Sequence, residues 1–522
     1  MNQAPSDNCN PALAGILQRP TLLCFAIGAI VIALRLALLP VMPIPVPVIH
    51  DEFSYLLGAE TFASGRITNP PHPMWVHFET FHVNMLPTYC SKYPPAQALT
   101  LAFGQVLFGQ AWFGVCLSAG LMIAAFCWML QGWVSPKAAL LTTALAGIWC
   151  LSTYWMNSYW GGAVAALGGA LLIGAVPRLA RRIAIGPALA ASAGIAVLAN
   201  SRPYEGSLTV ISSAAVLAWW LRREKRPLRA LLDRRLIAPL VLVMLPVIAA
   251  MALYNYRATG NPILFPYAVN QKTYAASPHF YILPSIPEPA YRHESIRRFW
   301  EWDRKVYQDA RSNPLNVILS FSSSMGPFYL FNPWGALAIL GVLLGCTVET
   351  GFAALILLLP IFGLLLAKGV LPHYLAPVSG VLWILTAMAF ERIARWWRGA
   401  RKTRVLAILC FGGVSFGYYA AQILHVITTP KPAPQGVATR PLLIERLAKE
   451  GKRHLVIVHY GGAHYIHAEW VYNHADIDHS DVVWARDMGR ERNRELLDYF
   501  RDRQAWLLEP DVDPLKLEPY PR

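Results

Sequence analysis

Charge is scarce in this chain. Of its 522 residues only 14% are Asp, Glu, Lys or Arg, while 55% are hydrophobic. Soluble globular proteins carry about 25% charge, so a row of water-soluble domains, the ordinary expectation at this length, is excluded. Cysteine offers no scaffold either. Of the eight present, six lie in or near apolar segments, Cys9 precedes them, and only Cys90 falls in a loop between them. A disulfide framework needs paired cysteines. No Walker loop, Rossmann fingerprint, Gly-x-Ser-x-Gly elbow, His-Glu-x-x-His or Cys/His zinc pattern occurs. No cofactor and no metal is expected.

What is abundant is apolar sequence in runs of about 20 residues, the length a membrane-spanning helix needs. Eleven spans are expected, near 20–40, 112–133, 138–154, 162–177, 183–200, 205–221, 236–256, 333–348, 352–367, 371–390 and 404–427. The first has no small-residue cleavage site after it and is read as a retained signal anchor. The net charge of +15 would suit a nucleic-acid binder only if it lay on a soluble face. Instead the basic clusters are short linkers: Arg178/Arg181/Arg182, Arg222 to Arg235 and Arg392 to Arg404. With the N-terminus inside, all three are cytoplasmic, as the positive-inside rule requires. The charge sets orientation, and no nucleic acid is expected as a partner. The expected location is the cytoplasmic (inner) membrane, multi-pass, with the working face on the periplasmic or extracellular side.

Outside then lie loop 41–111, the turns 155–161, 201–204 and 368–370, loop 257–332, and the tail from about 429. All 14 histidines fall in or at the ends of these segments. The chain divides into a membrane body, residues 1–428, and a small outer domain, 429–522, which has 14 basic and 15 acidic residues. In the tail, strands are expected over 455–460, 481–485 and 505–508, with helices over 463–472 and 490–501, an alternation that suggests a small parallel α/β unit.

The outer segments carry the chemistry. Loop 41–111 contains His50-Asp51-Glu52-Phe53-Ser54-Tyr55. Asp51 there is either a helix N-cap or a general base held just above a span, and the two roles are compatible. Ser91-Lys92-Tyr93-Pro94-Pro95 follows. Lys92 either reaches toward lipid headgroups or neutralises a lipid phosphate beside Asp51. The apolar segment 96–108 after it is expected not to cross. Two turns and one span start can complete a site: Asn157 to Gly162, Arg202 with Glu205 (also readable as a local ion pair), and His373-Tyr374. Arg35, inside the first span, must face the bundle or reach the interface. Asp476-x-Asp478 has a spacing used by metal-dependent transferases, but Asp511-x-Asp513 shares it, so the match is weak.

The Asp-Glu-x-x-Tyr sequence (Asp51, Glu52, Tyr55) just beyond the first span, with a Lys–Pro-Pro motif about forty residues later, resembles the polyprenol-dependent membrane glycosyltransferases of the GT-C superfamily. The relevant members are protein O-mannosyltransferases and the bacterial transferase that adds aminoarabinose to lipid A. The resemblance covers roughly residues 20–400. It implies an all-α polytopic fold, with Asp51 as catalytic base and Lys92 near the lipid phosphate. Here Tyr93 stands between Lys92 and the prolines, and Asn157 stands where many relatives have an acid.

The expected activity is transfer of a hexosyl or pentosyl group from a polyprenyl-phosphate sugar to a hydroxyl of a lipid, glycan or protein acceptor, with inversion and no metal. Asp51 and Glu52 are the catalytic candidates; Tyr55, Lys92, Tyr93, Asn157, Arg202, Glu205, His373 and Tyr374 are the candidates for binding substrate and phosphate. The alternative is a lipid or solute transporter of the cell envelope.

Overall fold

The structure, a computed structural model, describes residues 20–396, 413–414, 417–425, 428 and 436–521. Its membrane part is a helical bundle. In chain order it comprises α1 (Pro20–Ala37), α2 (His50–Ala63), α3 (Pro95–Phe108), α4 (Trp112–Trp133), α5 (Pro136–Ser152), α6 (Ala163–Arg181), α7 (Ile185–Ser201) and α8 (Pro203–Arg223). Then follow α9 (Arg234–Thr259), α10 (Pro266–Tyr274), α11 (Glu294–Ser312), α12 (Pro314–Met325), α13 (Pro333–Leu343), α14 (Val348–Leu365) and α15 (Ala376–Trp396). Proline opens several of these helices at the first turn, where its missing N–H costs nothing and its fixed φ suits the helix.

Six of the described helical segments are long and apolar enough to cross a membrane, seven if one bent pair counts as a span. Helices α5 and α7 are apolar but have 17 residues each, at the lower limit of about 17 for a span. The expected span at 404–427 lies largely outside the described residues. Two expectations need correction. Helix α8, over the expected span 205–221, has 21 residues but is not among the segments apolar enough to cross. The segment 333–348 is not a single span: α13 has 11 residues, and the helical stretch 314–330 meets it at 95°. Asn332 makes the break, because its side chain accepts from the Gly335 N–H at 3.0 Å and Pro333 takes the first helical position. The chain stops and restarts there instead of continuing.

Burial grades across the bundle as a bilayer demands. The apolar windows of α4, α6 and α15 are 78%, 83% and 94% buried, against 22% for α1 and 6% for the segment containing α9. The first three form the core, and the last two show apolar side chains to lipid. Small residues let helices touch closely in lipid. A Cβ on Gly28 would collide with the Gly120 carbonyl oxygen, and one on Gly169 with that of Pro377. Arg35, as expected, faces the bundle. Its guanidinium lies over Trp112 and donates to Asn157 Oδ1 (2.9 Å) and to the Met42 carbonyl (2.8 Å).

Above the bundle, loop 41–111 adds a short hairpin, β1 (Val83–Asn84) with β2 (Cys90–Ser91). The tail begins with α16 (Arg440–Ala448) and builds β3 (His454–Val458), β4 (Val482–Arg486), α17 (Arg490–Tyr499), β5 (Gln504–Glu509) and β6 (Lys516–Pro519). Strand order is β4-β3-β5-β6, the first three parallel and β6 antiparallel at the edge. The three expected strands are present, and β6 adds a fourth.

The helix expected over 463–472 does not form. The segment runs irregularly, because its side chains are claimed from outside. Glu469 is drawn into a buried pair with Arg486 and accepts from the Tyr460 hydroxyl, while His467 reaches His50. Tertiary contacts of that kind override local propensity.

The tail does not fold on itself alone. Its apolar core is continuous with Phe53, Leu57, Phe78, Val83, Met85 and Tyr89 of loop 41–111, and Tyr472 stacks on Phe53 at 4.4 Å. Polar contacts reinforce this: Arg486 donates to the Glu79 carbonyl (2.5 Å), His474 meets Glu60 (2.7 Å), and His72 meets Asp478 (3.1 Å). Replacing Arg486 by Met would leave Glu469 as an uncompensated buried charge, a loss of about 3–5 kcal/mol. The expected result is a lowered melting temperature, with protease cleavage of the tail preceding that of the bundle.

Candidate functional site

One cavity of about 1400 Å³ lies where α2, the loop after β2, the α7–α8 turn, loop 257–332, the 368–371 turn and the tail converge. Seven of the ten candidate residues line it: Asp51, Tyr55, Lys92, Tyr93, Arg202, Glu205 and Tyr374.

Asp51 occupies the first turn of α2 rather than capping it, since the N-cap is Ile49. The capping carboxylate is Glu52, which accepts from the Val48 N–H (2.9 Å) and the Ile49 N–H (3.2 Å) with one oxygen and from the Tyr159 N–H (3.0 Å) with the other. Glu52 therefore does not line the cavity, and its expected place beside Asp51 in catalysis is corrected to anchoring α2 on the 155–161 turn. Asn157 is likewise engaged by Arg35 and by the Leu151 and Thr153 carbonyls. His373 is buried against Tyr154 and Trp160. Neither is a cavity wall, because each locks two elements together just beneath the floor.

Around Asp51 the structure gathers a set of donors. The Tyr93 hydroxyl donates to Oδ1, His50 Nδ1 lies 3.0 Å from Oδ2, and His82 Nε2 lies 3.8 Å from Oδ2. Burial alone would raise this carboxyl; the imidazoles of His82 and His50 and the Tyr93 hydroxyl outweigh it and hold Asp51 well below the usual carboxylate range. His82 itself is pushed well below the usual imidazole value, by burial first and then by Lys92. Lys92 Nζ lies 2.6 Å from His82 Nδ1. An ammonium donating there leaves the ring proton on Nε2, directed toward Asp51. One imidazole therefore separates the carboxylate from the cation.

Lys92 also lies 5.2 Å from the ring centres of Tyr93 and Tyr267. Burial lowers it to about 8, against the pull of Asp51 and Asp303. Arg202 lies over Tyr374 at 4.4 Å and 4.0 Å from Glu205, so the local ion pair and the cavity position coexist. A third cation, Lys368, pairs with Asp303 and donates to Ser277 Oγ (2.5 Å). His279 is pushed down to about 4 by burial and by Lys368, Lys92 and Arg202. The chamber therefore sets Asp51 one imidazole away from Lys92, with Arg202 and Lys368, each beside its own carboxylate, lining the same space among aromatic rings.

His50, His82, Lys368, Asp303, His279 and His467 also line this cavity and carry no motif that singles them out in the sequence. The signal for them was the confinement of every histidine to outer segments, and a lone lysine in a three-residue outer turn. His50, Asp51 and His82 present ligand atoms within 4.8 Å of one another, a set that could hold a divalent cation, although His82 would have to turn its Nε2 lone pair inward and Lys92 give up its proton. The Asp476-x-Asp478 pair is elsewhere: Asp476 is engaged by His479 and Asp478 by His72.

No family model matches the chain, and no curated protein does. Solved structures do. ArnT from Cupriavidus metallidurans in the apo state superposes with a TM-score of 0.54 at 16% identity, over 96% of this chain and 93% of that one. The same protein bound to undecaprenyl phosphate gives 0.52 at 15% identity, over 92% of each. This is a GT-C fold. The apo oligosaccharyltransferase of Archaeoglobus fulgidus is matched at 0.48 and 11% identity over 84% of this chain. The present chain spans 62% of that protein's length. A polytopic all-α GT-C-like body with a small C-terminal α/β domain accounts for the whole described chain.

Two outcomes follow from the geometry. Glu52→Ala strands three backbone N–H groups at about 1–3 kcal/mol apiece and is expected to lower the melting temperature, with Glu52→Gln intermediate. Lys92 is an ammonium below about pH 8 and neutral above it, so a phosphate-bearing ligand loses its counter-charge as pH rises through that value. Affinity for a simple phosphate-bearing amphiphile such as dodecyl phosphate, measured across that range, should fall with rising pH, and the Lys92→Met variant should show no such step.

Proposed function

We propose that this protein is an integral-membrane glycosyltransferase that moves a sugar from a polyprenyl-phosphate donor to an acceptor hydroxyl. The observation that carries the reading is the pairing of a half-buried, ionised Asp51 with Lys92 across the His82 ring, in a chamber with room for a lipid phosphate and a sugar. Supporting it is the likeness to ArnT, a protein solved in complex with undecaprenyl phosphate. Such a donor needs no nucleotide-binding motif, and the chain has none. The distribution of Lys and Arg in the linkers supports a chamber on the periplasmic or extracellular side of the cytoplasmic membrane.

The chemistry is a single displacement. The acceptor oxygen attacks the anomeric carbon from the face opposite the phosphate, and the carbon–oxygen bond to phosphate breaks. Polyprenyl phosphate departs with the bonding electrons. Asp51 accepts the hydroxyl proton, helped by its fixed orientation more than by basicity, since a carboxylate with this many donors is a weak base. Charge growing on the leaving phosphate is met by Lys92 and Arg202, cations already in place before reaction. Tyr93 and His50 hold Asp51, and Tyr55 stacks on Tyr93 at 4.5 Å, so the base cannot rotate away. A phosphate leaving group needs no protonation, which fits a site with one carboxylate at its reacting centre.

Asp51→Asn tests this. The amide keeps the size of the side chain but cannot take a proton, so transfer should fall by about 10²-fold or more while undecaprenyl phosphate still binds and the protein still melts as wild type. Near-normal transfer by the variant, or wild-type protein that moves lipid across vesicles without transferring sugar, would reject the proposal in favour of a transporter.

A further inference from the structure

A second cavity, of about 410 Å³, opens beside the first and shares one wall residue with it, His464. Its floor is the carboxyl ends of two adjacent parallel strands, Val458 of β3 and Arg486 of β4, with the His459 to Gly462 and Asp487 to Gly489 turns around them. In parallel α/β sheets ligands bind outside the carboxyl ends of the strands, the end of the sheet on which this cavity lies. The roof comes from the membrane body: Arg292 and Arg298, at the start of α11.

The charge of this cavity is unbalanced. Four arginines line it, Arg292, Arg298, Arg486 and Arg492, against two carboxylates, Glu294 and Asp487. Both carboxylates are already engaged. Glu294 holds Arg297 through two contacts of 2.8 and 2.6 Å. Asp487 accepts from the Gly489 N–H and from Asn493, and pairs with His459 at 2.7 Å. Arg486 and Arg292 are met by Glu469 and Glu79. Arg298 and Arg492 make no ion pair among the described residues. Both line the pocket, Arg298 with the nearby charge of Glu294 acting on it; two guanidinium groups so placed suit an oxyanion, and the volume suits a single sugar carrying it.

We infer that this pocket, walled by Arg298 and Arg492 at the junction of α11 and the tail sheet, binds a sugar phosphate group of the acceptor. That the bound molecule is the acceptor rests on the transferase reading; the anion site itself does not. Across His464, the same molecule extends a hydroxyl into the Asp51 chamber. The tail thereby completes an acceptor site that neither the bundle nor the sheet forms alone.

The test uses the full-length protein in phosphatidylcholine nanodiscs, titrated with glucose 1-phosphate and followed by tryptophan fluorescence and thermal melting. Inorganic phosphate, methyl glucoside and nanodiscs containing anionic lipid serve as separate arms. Glucose 1-phosphate should bind wild type, and bind the double variant Arg298→Gln/Arg492→Gln about tenfold or more weakly. Methyl glucoside should not bind. Inorganic phosphate binding as tightly as the sugar phosphate reduces the site to a bare anion site, and competition by anionic lipid alone identifies a headgroup site; either result overturns the acceptor-sugar assignment. Equal affinity in wild type and double variant overturns the site altogether. Both arginines are at least partly exposed, and unchanged melting of the unliganded double variant checks its fold. These are binding measurements, so failure of the transferase reading would leave them unaffected.

Discussion

Everything at the reacting end of this protein depends on keeping one carboxylate charged where water is scarce. The Asp51 side chain is only 16% exposed, and that shielding by itself would raise its pKa. Tyr93, His50 and His82 prevent that by surrounding it with donors. Each donor is in turn fixed by something else. His82 is held by Lys92, His50 by His467 of the tail, and Tyr93 by its stacking on Tyr55. The cluster joins the outer end of the bundle, the first outer loop and the C-terminal domain through a single charge. A buried polar network of this kind is stable only when fully satisfied, so its members constrain one another's position.

A second constraint lies just below. The chamber floor is pinned by pairings between residues that motif spacing alone would have assigned to substrate. Glu52 sews α2 to the 155–161 turn, Asn157 receives the guanidinium of Arg35 from within the first span, and His373 closes against Tyr154. These groups are polar, buried and close to the site because the scaffold there has unpaired backbone N–H groups and a charge inside the membrane to satisfy. Their chemistry is used on the protein itself, which leaves the cavity face to Asp51, Lys92, Arg202 and Lys368. A rigid floor with cations already held in place is what the proposed departure of a phosphate requires.

The C-terminal domain combines with this arrangement rather than hanging from it. Its sheet core is shared with loop 41–111, and its irregular segment 459–480 is shaped by what lies beneath. One face of that segment closes the Asp51 chamber through His464 and His467, and the other borders the arginine-lined pocket. In the proposed reaction the domain therefore sets which part of a large acceptor can approach the base.

By itself the sequence determined the properties that come from local composition. Scarce charge and long apolar runs required a membrane bundle, basic linkers set its expected orientation, and alternation of β-branched and charged segments marked the tail sheet. It also picked out Asp51 and Lys92 through short motifs that resemble those of polyprenol-dependent transferases, and Tyr93 and Arg202 through their place in outer segments. Only the tertiary structure decided the rest. Whether Asp51 or Glu52 faces the cavity depends on which oxygen meets the Tyr159 N–H, more than a hundred residues away. The 463–472 stretch lost its helix to Arg486 and His50, and the expected 333–348 span shortened to a helix over 333–343 set at 95° to the helical stretch before its asparagine cap. His50, His82, Lys368 and His467 joined the site from four separate segments. Local periodicity reports the solvent a segment will meet, but a site is built from long-range contacts, and those exist only once the chain has closed on itself.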